Sequence, residues 1–366
     1  MFSKVPVGAL LKDCGLPRQR LCRKHRVVAH YKHVGFSLDR DTITGSPMEP
    51  SRNTTPGAAF NDPGASSAKI GMFAALICVL SWTTSPLFVK HFSTIVDPWT
   101  SNGWRYIPAA VVCLPFTVWS IRRGQMPLSV WRLAAIPALA NSVAASCFTS
   151  ALYCDIAPAF SILCMRLQVV FAALAALFFF VEERAIVKSR GFLIGMALVI
   201  LGTIVTVVFG GGREEETRLI GVAMLIACAS LFGVYGALAR RFLRGVPPLV
   251  VFAAVVQWTA LFMLLGMVFL GERQGLTPLD SGVCWLLILS GLIGVAVGHG
   301  LYFVSISHLG VAITHGVIEL QPFAVAGVSY WFFGEVLTGW QWAGGVAAVV
   351  GVLLMLSARR RLRLVR

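Results

Sequence analysis

Apolar runs of about twenty residues succeed one another from residue 70 to residue 357, and they constrain this chain more than any other feature. Crossing a hydrocarbon core of ~30 Å takes ~20 apolar residues in a helix, which satisfies its own backbone hydrogen bonds where water is absent. Ten runs can be read, at about 70–90, 99–120, 132–153, 157–181, 190–210, 217–239, 248–270, 281–304, 310–333 and 339–357. The fold class is therefore an all-α integral membrane protein with ten transmembrane helices, and the lipid bilayer is its first partner. Only 13% of residues are charged, about half the share in soluble domains.

The net charge of +15 raises the question of nucleic acid. Its distribution excludes that class, because the basic residues lie in the tail before residue 70, in alternate loops and at the C-terminus, leaving no basic folded face. Arg122, Arg123 and Arg132 follow span two, Arg184, Lys188 and Arg190 follow span four, and Arg240, Arg241 and Arg244 follow span six. The chain ends ARRRLRLVR, whereas the intervening loops carry Asp97, Asp155, REEETR (213–218) and Glu272 with Arg273. Positive loops face the cytoplasm, so both termini are expected there, in an inner or plasma membrane. The loop after span eight holds only His308 and bears on neither side.

Residues 1–68 are polar, basic and free of helical periodicity, which predicts a disordered tail. It has no signal-peptide apolar region, and Met48 is a candidate natural start. Asn53 matches a glycosylation sequon, but the tail is expected on the cytoplasmic side. CRKHRVVAHYKH (Cys22, His25, His30, His33) fits no standard zinc spacing and reads as an unstructured basic segment. Six further cysteines sit inside apolar runs as small hydrophobes and Cys154 ends one. No metal or cofactor is expected. Nor is an enzyme, since P-loop, HExxH and nucleophile-elbow patterns are missing.

The two halves repeat. Trp82 with Lys90 eight residues on matches Phe232 with Arg240, Arg105-Tyr106 matches Gln257-Trp258, and Leu152-Tyr153 matches Leu301-Tyr302. Leu167-Gln168 lies fourteen residues before Glu182, as Leu320-Gln321 lies before Glu335. Four matches in order imply duplication. Five spans per half is an odd number, so the second half enters the membrane from the opposite side. Such inverted repeats place a solute site near the midplane between them. The expected organisation is a tail at 1–68, repeats at 69–212 and 213–358, and a basic end at 359–366.

These residues also carry a family resemblance. From about 70 to 357 the chain resembles the ten-helix branch of the drug/metabolite transporter superfamily, with two EamA-type repeats. The family's W-G-x-x-x-x-x-x-K opening is similar to Trp82 to Lys90, with Thr83 in place of glycine. Its R-F pair is similar to Arg105-Tyr106, and its span-nine proline to Pro322. Span nine closes on Gly334-Glu335, with Gly344 and Gly351 nine and sixteen residues after that glutamate. In the first half Gly191 follows Glu182 by nine, but the second glycine is displaced to Gly202. The resemblance implies a transporter whose third and fourth spans of each half surround a central cavity, without implying its substrate.

Polar residues inside the spans then become candidate site residues. The 153-residue register that aligns Glu182 with Glu335 sets Arg166 opposite Glu319. Both lie about eight residues into their spans, ~12 Å deep, from opposite sides, so their depths differ by only ~6 Å in a ~30 Å core. Intramembrane charges are functional by default: Arg166 for a carboxylate or phosphate, Glu319 for an amine or proton. The alternative is a salt bridge that only holds two helices. His315 shares a face with Glu319, as His299 does with Tyr302. Protons are a candidate coupling ion through these histidines, and a neutral hydrogen-bonded histidine is the alternative. Gln168 and Gln321 are candidate cavity residues, and Asn141 reads as interhelical glue. Lys90 and Arg105 near the outer ends of spans one and two are expected to snorkel, with a role in attracting anionic solute as the alternative. The Gly191/Gly195 and Gly294/Gly298 spacings suit close packing within the bundle, with a homodimer as the other option beside a monomer. The Phe and Trp clusters are expected to face lipid or its interface for the most part.

The expectation is a secondary transporter of a small polar or amino-acid-like solute. It would work by alternating access through a cavity built by spans three, four, eight and nine, with export the favoured direction. A flippase for a lipid-linked carrier and a non-transporting scaffold are the competing readings.

Overall fold

The computed structural model describes residues 65–180, 188–209, 215–272 and 280–364. The tail with its sequon and Cys/His stretch, Glu182, Arg184, Arg273 and the start of REEETR lie outside the described residues. Among the described residues every regular element is helical. The first half comprises α1 (Ala65–Phe92), α2 (Pro98–Arg122), α3 (Leu128–Tyr153), α4 (Pro158–Cys164), α5 (Leu167–Phe179) and α6 (Arg190–Val208). The second comprises α7 (Glu215–Phe242), α8 (Pro248–Leu270), α9 (Ser281–Gly291), a π-helical stretch Leu292–Val297, α10 (Gly298–Ile318), α11 (Gln321–Phe333) and α12 (Gly339–Leu364).

Local chemistry explains the boundaries. Asp97 caps α2, its Oδ1 accepting from Trp99 N at 2.9 Å and Thr100 N at 3.0 Å, with Pro98 pre-shaping the first turn. Gly334 ends α11 at φ +65°, a left-handed cap that glycine adopts without strain. Inside α10, Gly310 has φ +76° and ψ 164°, a region open essentially to glycine alone. The chain turns there, so span eight ends at Gly310 and span nine begins at residue 311. An added Cβ on Gly310 would touch nothing within 4 Å, so Gly310→Ala isolates backbone strain. It is expected to lower stability by about 1–3 kcal/mol, read as an earlier thermal unfolding transition in detergent.

Spans four and nine, expected as single helices, are each broken in two. α4 stops at Cys164 and α5 resumes at Leu167; α10 stops at Ile318 and α11 resumes at Gln321. In span four the ladder tightens to bonds three residues apart, Arg166 N to Leu163 O at 3.2 Å and Gln168 N to Met165 O at 3.0 Å. Span nine does the same with Leu320 N to Val317 O at 3.1 Å. Pro322 lies in the first turn of α11, where a missing N–H costs nothing. It starts a half-helix and does not kink a continuous one. Arg166 and Glu319, 153 residues apart, each stand in a break.

Packing joins the halves, with α1 against α10, α2 against α8, α3 against α7 and α6 against α12. The last pair is the tightest because glycines face glycines. A Cβ on Gly351 would lie 2.5 Å from Gly195 O, and one on Gly344 2.5 Å from Gly202 O. The motif position Gly191 faces only the Ala358 Cβ, 3.6 Å from where its own Cβ would be. The glycines that meet are thus Gly195 and Gly202 with Gly344 and Gly351, seven residues apart on each helix. Gly294 and Gly298 pack on Ser85 and Trp82 of α1, inside the bundle.

Candidate functional site

A cavity of about 230 Å³ lies where the two broken spans meet. Arg166 Nη1 donates to Glu319 Oε1 at 3.0 Å, and the residues are 8% and 3% exposed. Arg166 Nε also donates to Ile162 O at 3.3 Å, a carbonyl left free by the tightened turn. Glu319 Oε2 is buried without a hydrogen-bond partner. Each charge thus sits in a helix break and completes itself across the gap, leaving one carboxylate oxygen unspent.

Span eight supplies an aromatic wall. The π turn widens the helix by one residue, and His299 Nδ1 contacts Gly294 O at 3.2 Å across it. Tyr302 Oη and His315 Nε2 lie 2.9 Å apart, joining span eight to span nine. Trp82 of α1 sets its ring 5.1 Å from His299 and 5.3 Å from Tyr302. Gln321 Nε2 donates to Trp82 O at 3.2 Å, fastening α11 to α1. Gln168 lines the cavity beside Arg166. All seven candidate cavity residues therefore stand around one space.

Two sequence expectations need correction. Arg105 does not snorkel: it is 4% exposed, lines the cavity and donates through Nη2 to Ser85 Oγ at 2.7 Å. It turns inward because Gly291 admits the Arg105 backbone so closely that a Cβ there would overlap the Arg105 carbonyl. The walls are also wider than spans three, four, eight and nine. Trp82, Ser85 and Pro86 of α1, Asn102, Arg105 and Tyr106 of α2, and Phe232 and Tyr235 of α7 contribute. The Phe and Trp clusters face outward for the most part, as expected, with Trp285, Trp331 and Trp340 exposed and Trp82, Phe148, Phe232 and Phe303 the exceptions on the cavity. The Trp82 opening motif and the His299–Tyr302 spacing were the signals in the sequence that could place aromatics here.

Other candidates sit where their chemistry suggests. Asn141 Nδ2 donates to Thr259 Oγ1 at 3.2 Å, tying α3 to α8, while also touching the cavity. Lys90 reaches Asp155 at 2.8 Å, a largely exposed carboxylate, at the end of α1. Glu335 caps α4, accepting from Ala159 N at 2.9 Å and Phe160 N at 3.0 Å, and Ser329 Oγ donates to it. The carboxylate that ends span nine thus satisfies the orphan donors that open span four.

This architecture has relatives. The EamA-like transporter family model matches the chain twice, over residues 69–208 and 219–357. An uncharacterized transporter of Haemophilus influenzae is 23% identical over 218 residues, 58% of this chain and 68% of that protein. A chloroplastic WAT1-related protein of Arabidopsis thaliana is 23% identical over 290 residues, 75% of this chain and 66% of that protein. One solved crystal structure shares the fold with a TM-score of 0.54 at 22% identity, covering 81% of this chain and 98% of its own. With two repeats matched across the broken spans and the cavity between them, the chain belongs to the EamA-like transporter family.

Proposed function

We propose that the protein is a secondary transporter that moves a small polar solute through the cavity by alternating access. The observation that carries this reading is the convergence of two broken spans on one buried space, each contributing a charged residue at its break. Helices interrupted inside the bundle offer tightened turns and oriented charges to a solute without exposing them to lipid. Rocking of one repeat against the other would open that space to either side in turn. Both termini lie in the cytoplasm of an inner or plasma membrane, the direction is export, and a solute or proton gradient drives it. A volume below the ~300–1,000 Å³ of drug-sized sites suits a small metabolite.

The test is purified full-length protein with a library of soluble metabolites, first by thermal shift and then by counterflow in proteoliposomes. At least one water-soluble solute is expected to accumulate against its preloaded counterpart. Movement of a lipid-linked carrier with no counterflow of any soluble solute would overturn the reading.

A further inference from the structure

Three charged side chains are buried among the described residues: Arg105, Arg166 and Glu319. Arg166 and Glu319 neutralise each other. Arg105 has no carboxylate within ion-pair distance among the described residues, and its Nε has no acceptor. Two further buried N–H donors on the same cavity, Trp82 Nε1 and Asn102 Nδ2, also lack acceptors. Trp82 stands one turn from Ser85, the hydroxyl that holds the Arg105 guanidinium, and Asn102 one turn from Arg105 itself. Buried donors without partners are rare in folded proteins, and a buried cation without a counter-charge is costly. Here they share one cavity wall.

The formal charge lining the cavity is +1, two arginines against one glutamate with the histidines neutral. A single anionic group brings it to zero. A guanidinium recognises a planar oxyanion through paired hydrogen bonds, and Trp82 and Asn102, whose N–H groups also lack acceptors, line the same cavity. The unspent Glu319 Oε2 offers an acceptor to a hydroxyl, amide or ammonium elsewhere on the solute. We propose that the cavity selects a small organic monocarboxylate, its carboxylate seated on Arg105 and a hydrogen-bond donor of the same molecule directed to Glu319. The Arg166–Glu319 pair is then a pre-neutralised support, and Arg105 is the anchor. The proposal deepens the transport reading, but binding can be measured without transport.

The experiment uses the full-length protein in detergent, with lactate and alanine each set beside its primary amide, and with glycerol phosphate. Binding is followed by thermal shift and by tryptophan fluorescence, which Trp82 reports from the cavity. The acids are expected to bind roughly 10- to 100-fold more tightly than their amides, the span of a charge-assisted hydrogen bond lost. Arg105→Gln is expected to abolish that preference, yet to leave the empty protein at least as heat-stable as the parent because it removes an uncompensated buried charge. Should R105Q aggregate, Arg105→Lys decides: it keeps the charge, loses the planar fork and is expected to weaken the acids about tenfold. Equal affinity for acid and amide, no binding of any acid, or an acid preference unchanged in either variant would overturn the proposal. Tighter binding of glycerol phosphate than of lactate would keep Arg105 as an oxyanion anchor and overturn the monocarboxylate assignment. Counterflow of a neutral solute alone overturns the carboxylate and leaves transport standing. Acid binding without counterflow of any solute does the reverse.

Discussion

Arg166→Gln is expected to destabilise the protein by about 3–5 kcal/mol, and Glu319→Gln by a similar amount, because each leaves one buried ion without its partner. The double variant R166Q/E319Q is expected to recover most of that loss, since it removes both charges of the 3.0 Å pair and leaves neither ion buried alone. Guanidinium-chloride or thermal unfolding of the four proteins gives the coupling directly as a double-mutant cycle. Burial makes the effect large: with both residues under a tenth exposed, water cannot screen or solvate the orphaned charge. Near-additive losses would mean the residues do not act as a pair. Transport separates two roles for that pair. If the double variant folds well but no longer moves solute, the charges serve the solute as well as the helices.

Gly344→Leu is expected to cost more than the ~1–3 kcal/mol usual for an overpacked core. Its new Cβ would lie 2.5 Å from Gly202 O, 2.7 Å from Thr206 Oγ1 and 3.0 Å from Thr206 N. Two of those three atoms are helix backbone and cannot rotate aside, so α6 and α12 must separate along their length. Small residues let helix backbones approach closely in lipid, where no hydrophobic force draws helices together. Gly191→Ala is the control, with only the Ala358 Cβ at 3.6 Å, and is expected to stay within about 0.5 kcal/mol of the parent. A thermal-unfolding comparison in one detergent reads both. Equal sensitivity at the two positions would contradict the glycine pairing.

Gly191 also shows what could be read without the fold. Counting nine residues from Glu182 picks it out, yet contact falls on Gly195, because crossing geometry and not motif spacing selects the facing glycine. Apolar runs set the spans reliably, since the bilayer averages over twenty residues at once. The 153-residue register brought Arg166 and Glu319 together because duplication preserves position. The breaks themselves were invisible in span four: Arg166 keeps helical angles, φ −60° and ψ −25°, and no Gly or Pro marks the spot. Arg105 was misplaced for a different reason. Whether an arginine seven residues into a span turns inward depends on how near the neighbouring helix can come, and Gly291 decides that from 186 positions away.

In the 153-residue sequence register the contact between Arg166 and Glu319 joins repeat mates, while the helix breaks align one residue later, with Leu320 in the place of Arg166. Two points exchanged by a two-fold rotation can touch only near its axis, so a contact between near-equivalent positions belongs close to the pseudo-two-fold that inverted repeats imply. In the cycle proposed above, the repeats swap conformations by that same operation, and a contact on the axis is carried onto itself. In such a cycle the pair would move little and would contribute little gating charge. Whatever current accompanies turnover belongs to the solute and its coupling ion, and a lone monoanion crossing would feel ~2.3 kcal/mol for every 100 mV of membrane potential.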